Sequence, residues 1–219
     1  MSETALPETL SRWLAGRGLR GNPFDRWNAE YEKELSEYFV DLAGFDERLR
    51  LELLRSTVPC VVFAQRGCGK TAQRQMLAAH CRPLAKNSSW LAVPYTYGGF
   101  ERALRSAGDD VQQVRPLHHA DALLNLALKA LSRESKQDRK VKKALESPDI
   151  APGLAAYAAR FAPHLADALS TSESKGPLDV LDSVEILQGF SGLLQGVGLD
   201  LCVVLVDGLD EFLPTGDDP

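Results

Sequence analysis

Residues 59–71 read Pro-Cys-Val-Val-Phe-Ala-Gln-Arg-Gly-Cys-Gly-Lys-Thr, and few sequences constrain a fold as tightly. Cys60–Phe63 is a short apolar run, β-branched and aromatic, with the composition of a strand buried in a parallel sheet. At Gly67 and Gly69 a missing Cβ lets the backbone turn sharply and approach a ligand closely. Thr71–Cys81 then carries the helix formers Gln73, Arg74, Met76, Leu77, Ala78 and Ala79, and Pro83 ends the run. Strand, glycine loop and helix in that order make an anion nest. The backbone amides of Arg66, Gly67, Cys68, Gly69, Lys70, Thr71 and Ala72 would converge on phosphate oxygens at a helix N-terminus. Lys70 would reach the outer phosphates as a mobile cation, and Thr71 would offer its hydroxyl to Mg²⁺. The first glycine of the usual pattern is Ala64 here, a relaxed match that an ordinary strand-to-helix turn could also produce.

A second element strengthens the phosphate reading. Leu199–Val206 is apolar after Asp200 and ends in Asp207-Gly208-Leu209-Asp210-Glu211. A carboxylate at the C-terminal end of a parallel strand, beside a phosphate loop, is placed to hold Mg²⁺ with its waters. Asp207 is therefore the metal-side acid. Glu211 or Asp210, one turn on, is placed to polarise an attacking water. Taken without the loop, the same residues read as a strand followed by an acidic turn.

Composition limits the alternatives. Of 219 residues, 44% are hydrophobic and 25% charged, enough apolar mass for one α/β domain with a helical extension. A net charge of −5 argues against a large nucleic-acid footprint and leaves room only for a local patch. No apolar run approaches the ~18 residues of a membrane span. The Met1-Ser2-Glu3-Thr4 start has neither the basic nor the apolar region of a secretory signal. Cys60, Cys68, Cys81 and Cys202 form no Cys-x-x-Cys pair and read as small buried hydrophobes of a reducing compartment. Together these point to the cytoplasm. Cys68 differs because it sits in the phosphate loop, where alkylation would block a nucleotide sterically.

Along the chain, a short helix is expected around Leu10, Trp13 and Leu14, then a glycine-rich link and a turn at Asn22-Pro23-Phe24. Tyr31, Leu35, Tyr38, Phe39 and Leu42 have helical spacing, and a further helix is expected at Phe45–Leu54. Residues 1–56 thus read as a helical lead-in. Trp90–Tyr97 is a strand candidate that Pro94 assigns to a sheet edge or an early end. Helices are expected at His119–Leu131, around Leu154–Leu169 with a break at Pro163, and at Val180–Leu194. The basic run Lys136, Arg139, Lys140, Lys142 and Lys143 reads first as a solvated helix face and second as an anion or nucleic-acid patch. His118-His119 reads as a surface pair before a helix with Asp121 in its first turn, rather than a metal site.

The order of these parts resembles the P-loop NTPases that insert an extra strand between the loop strand and the acidic strand, the AAA+ and STAND ATPases. Arg66-Gly67-Cys68-Gly69-Lys70-Thr71 and Asp207-Gly208-Leu209-Asp210-Glu211 look like the forms found in STAND, including NACHT-type, proteins. Asn22-Pro23-Phe24 is similar to the lead-in of several bacterial and origin-recognition ATPases, where it lies near the adenine. The resemblance implies a three-layer α/β fold with a parallel sheet, spanning residues 57–219. The 137 residues from Lys70 to Asp207 imply a helical insertion at about 100–175. It implies ATP and Mg²⁺ as ligands and a nucleotide switch in a bacterial-type signalling or defence protein. Family members continue past the acidic strand with a sensor strand and a helical lid. This chain has 12 residues after Asp207, so the expectation is an N-terminal portion, its sheet incomplete after the acidic strand. Sensor and lid, from a C-terminal region or by self-association, would complete the ATP hydrolase. The alternatives are a DNA-linked ATPase of the origin-recognition or transposition-helper type, and an interaction module with a relic nucleotide loop.

Overall fold

The computed structural model describes residues 12–13, 15–17, 39–40, 61–62, 68–81, 90–165 and 183–208. They form helix α1 (Lys70–Cys81), strand β1 (Trp90–Tyr95), α2 (Tyr97–Ser106), α3 (Pro116–Gln137), α4 (Arg139–Leu145), α5 (Ala151–Phe161), α6 (Ser183–Gly196) and strand β2 (Leu201–Val206). Short 3-10 turns occur at Val111–Gln113 and Pro163–Leu165. The chain divides into two compact units, Met1–Met76 and Leu77–Pro219, with the division inside α1. Among the described residues the fold is α/β, with helices and a two-stranded parallel sheet.

In the second unit, β1 and β2 pair from Trp90 opposite Leu201 to Tyr95 opposite Val206. The Asp207 N–H donates to the Tyr95 carbonyl at 3.1 Å. In a parallel ladder this phase turns the N–H and C=O of Leu91, Val93 and Tyr95 toward β2, and those of Trp90, Ala92 and Pro94 away. The missing N–H of Pro94 therefore falls on the side of β1 turned away from β2, and the strand runs through it to Tyr95.

Paired residues share a sheet face. On one face Leu91 and Val93 join Leu124, Leu128 and Leu131 of α3, Leu154 and Phe161 of α5, and Ile186, Phe190 and Leu194 of α6. The α3 leucines recur at the spacing that lines one side of a helix, so the periodicity in the sequence is the core face itself. Farther along β2 the same face is open, with Val204 42% and Val206 52% exposed. The continuous apolar run in the sequence does not distinguish these exposed positions from the buried ones. The helices lie chiefly over β1 and the start of β2, and the carboxyl half of β2 extends past them.

Helix boundaries follow local chemistry. Pro116 opens α3, where its missing N–H costs nothing. A continuous polar helix over 135–146 is not formed. Asp138 takes an extended backbone, donates its N–H to the Glu134 carbonyl at 2.8 Å and accepts from the Lys140 N–H at 2.7 Å, ending α3 and capping α4. α5 stops at Phe161, two residues before Pro163. α6 runs two residues past Leu194, and Leu199 N–H then closes on the Leu194 carbonyl at 3.0 Å around Gly198 at φ +81°.

The C-terminus of α5 is held by its neighbours. The Phe161 carbonyl accepts from buried Asn125 Nδ2 at 2.7 Å and from Arg102 Nη2 at 3.3 Å, and Arg102 Nε pairs with Asp121 at 3.0 Å. One carbonyl thus ties α2, α3 and α5 together. Tyr157 makes a similar tie, donating its hydroxyl to the Ile186 carbonyl of α6 at 3.0 Å.

In the first unit, Arg12, Trp13 and Ala15 are helical, as expected, and Gly16, expected in the glycine-rich link, is helical too. Phe39 and Val40 are not, although they fall within the expected 28–42 helix. Aromatic and β-branched residues lose rotamer freedom in a helix, and Val40, 69% exposed, gains no burial to offset it. Val61 and Val62, expected in a strand, carry no regular structure, and Val61 is 68% exposed. A strand is defined by ladder bonds to a neighbour, and among the described residues these two make none.

Replacing Asn125 with Leu is expected to destabilise the chain by about 1–3 kcal/mol, because a buried carbonyl loses its shorter bond. Urea unfolding checks this, with Asp121→Asn, farther from the carbonyl, expected to cost less.

Candidate functional site

In the first unit the loop meets its helix at Gly69. Gly69 has φ +77°, a left-handed conformation that a Cβ disfavours, and its carbonyl accepts the first helical bond of α1 from Gln73 N–H at 2.9 Å. Gly69 is thus the N-cap, and Lys70, Thr71 and Ala72 are the first three helical residues. The N–H groups of such a first turn have no acceptor within the helix and point outward with the positive end of its dipole. Cys68 is exposed immediately before them. Of the expected loop, Cys68, Gly69, Lys70, Thr71 and Ala72 are therefore placed. Arg66 and Gly67 lie outside the described residues, as do Asn22, Pro23 and Phe24.

In the second unit, Asp207 stands at the carboxyl end of β2. Its backbone is fixed by the bond to Tyr95, and its Oδ1 accepts from the Gly208 N–H at 3.0 Å. Gly208 has φ +74°, a left-handed conformation that glycine takes without strain. Asp210 and Glu211 lie outside the described residues. Loop and acid belong to different compact units.

The carboxyl end of β1 carries a group that the sequence pattern missed. Tyr95 donates its hydroxyl to His119 Nδ1 at 2.6 Å, and the imidazole also packs against the Phe100 ring at a centroid distance of 5.6 Å. Burial pushes the Tyr95 hydroxyl up to about 12, so the tyrosine is the donor and His119 the neutral acceptor. Burial, and then the charge of neighbouring His118, lower the His119 pKa. His119 is therefore not the surface residue that was expected. His118 has a different task, accepting the Arg115 N–H on its Nδ1 at 3.0 Å at the start of α3. Asp121 pairs with Arg102 rather than serving the histidines. The available signal was Pro116, which opens the helix three residues early and turns His119 inward. Gly99 completes the packing, since a Cβ there would come within 3.1 Å of the Tyr95 ring and 3.0 Å of Leu126.

Between α2 and α3 lies a crevice of about 460 Å³ lined by Gly98, Gly99, Arg102, Arg105, Asn125 and Lys129 among others. Its arginines are already matched, Arg102 by Asp121 and Arg105 by Glu101. Of the thiols, Cys81 is buried, and burial pushes the Cys202 thiol up to about 11, whereas Cys68 is exposed.

Among the described residues no three His, Cys, Asp or Glu side chains gather to hold a metal. No helix among them is long and apolar enough to cross a membrane. Comparison with protein families, with curated proteins and with solved structures finds no match.

The lowered His119 pKa has a definite sign in stability. Near pH 6.5 the unfolded imidazole takes up a proton that the folded one resists, so its contribution is full above that pH. The contribution is lost as pH falls from there through the lowered folded value. The melting temperature of the wild-type chain should therefore drop more between pH 7.5 and 5.5 than that of His119→Gln. Parallel pH profiles for the two would contradict this assignment.

Proposed function

We propose that this chain is the ATP-binding part of a P-loop NTPase that acts as a nucleotide switch, of the STAND-like kind. The observation that carries the reading is Gly69 at φ +77°, capping a 12-residue helix whose first two residues are Lys70 and Thr71. That is the local geometry by which a glycine loop delivers backbone N–H groups, a cation and a hydroxyl to one anion. Supporting it, Asp207 ends a parallel strand, and open α/β sheets bind ligands at such carboxyl ends. Pro94, with its missing N–H on the side of β1 turned away from β2, suits a strand at the edge of such a sheet.

Each proposed ligand is of a kind that magnesium takes. Thr71 and Asp207 offer hard oxygens, and magnesium takes few protein ligands when phosphates supply others. When bound, the ion would neutralise charge on the β- and γ-phosphates. Lys70 would bind the same oxygens from the protein side, and the first-turn amides of α1 would orient them. Glu211, with Asp210 as the alternative, would position and accept a proton from water. An arginine outside this chain or from a neighbouring copy would complete the hydrolytic site. ATP would favour one state of the switch by γ-phosphate contacts that ADP lacks.

Lys70→Ala should abolish ATP binding measured by calorimetry, and unchanged affinity would remove the assignment. Alkylation of Cys68 by N-ethylmaleimide should precede that of Cys81 and Cys202 and be slowed by ATP. Labelling of Cys68 that ATP leaves unaffected would place the nucleotide elsewhere. In a protein carrying sensor and lid, Glu211→Gln should keep ATP binding and lose turnover, and retained turnover would move the base role to Asp210.

A further inference from the structure

The end of α3 and the whole of α4 carry Arg133, Lys136, Arg139, Lys140, Lys142 and Lys143, six of the 25 lysines and arginines of the chain within 11 residues. Two acids, Glu134 and Asp138, lie among them, so this segment has a charge of 6 − 2 = +4. The chain carries −5, leaving −5 − 4 = −9 on the remainder. An acidic protein thus carries a locally basic segment.

The structure makes this a surface rather than a sequence accident. Val141 and Leu145, one turn apart, are 4% and 5% exposed and anchor α4 in the core. With that face buried, Arg139 and Lys143 occupy the outward pole of the helix, and Lys140 and Lys142 flank it. All six cations are exposed, and among the described residues no ion pair or side-chain hydrogen bond engages any of them. Asp138, the one acid within the turn between the helices, is committed to capping Lys140. The cations are therefore held together on a folded support, an arrangement that costs self-repulsion and brings no packing.

We propose that this face, from Arg133 to Lys143, binds the phosphate backbone of a nucleic-acid duplex without reading its sequence. The chemistry narrows the partner. A polyanion with regularly spaced charges matches a patch of point charges, and Lys and Arg neutralise phosphates with release of counterions. The apolar residues of α4 point inward, so no side chain is available to enter a lipid surface. Residues 133–149 contain no Phe, Tyr or Trp, so no ring is offered for the stacking that single strands use. The proposal does not rest on the nucleotide reading.

Fluorescence anisotropy of a labelled 20-base-pair DNA duplex, titrated with the full chain across a salt series, tests it. Log affinity should fall linearly with log salt. Arg139→Gln, Lys140→Gln, Lys142→Gln and Lys143→Gln combined should weaken binding at least about tenfold and flatten the slope, by about one for each phosphate that is no longer neutralised. Glu146→Gln, which removes an exposed acid at the end of α4, should tighten binding and decides the matter if the fourfold variant fails to fold. The proposal is overturned if the wild-type chain leaves the duplex unbound at about 50 mM salt, or if the fourfold variant binds with the same affinity and slope. Preference for a single strand of equal length would overturn it too, as would binding to phosphatidylserine vesicles without binding to the duplex.

Discussion

Two parallel strands cannot be joined by a tight turn, because the chain must return to the starting end before the second strand begins. β1 and β2 are paired in this way, from Trp90 opposite Leu201 to Tyr95 opposite Val206, and everything described between them is consequently crossover. The helices α2 to α6 carry the chain back. Their apolar stripes cover the face of β1 that carries Leu91 and Val93. The carbonyl of Phe161, held by Asn125 and Arg102, keeps the far end of that crossover in place. The pairing also brings both strands to their carboxyl ends at the same edge. There the last ladder bond, from Asp207 to Tyr95, fixes the acidic residue as a direct extension of the sheet.

The two halves of the proposed site use different physics. The loop half depends on backbone groups. A glycine in a left-handed conformation opens α1, and the helix presents donors that its own geometry leaves unsatisfied. The acidic half depends on one side chain at a strand end, followed directly by Gly208 in a left-handed conformation. Neither half alone specifies a nucleotide, since helix N-termini and acidic turns are both common. The functional proposal rests on their occurrence in one chain with the Lys-Thr order and a parallel strand.

Much of this is legible in the amino-acid sequence, for identifiable reasons. Leu201–Val206 is an apolar run bounded by Asp200 and Asp207-Gly208, and it forms a strand over those six residues. α1 begins at Lys70, one residue ahead of the expectation, because helix formers follow a glycine that caps. The departures have a common origin in non-local packing. The exposure of Val204 and Val206 depends on where helices lie over the sheet, which no local pattern encodes. The inward turn of His119 depends on Tyr95, 24 residues earlier. The break at Asp138 is local, but the lysine-rich composition around it masks an extended residue whose side chain caps the next helix.

The central claim is that the Gly69-Lys70-Thr71 loop of this chain holds phosphate. Calorimetric titration with adenosine, AMP, ADP and ATP in the presence of magnesium tests it directly, because the ligands differ only in phosphate number. The account predicts negligible binding of adenosine and affinity rising with each phosphate to a maximum for ATP. Equal affinity for all four ligands, or no heat with ATP from folded protein, would contradict it.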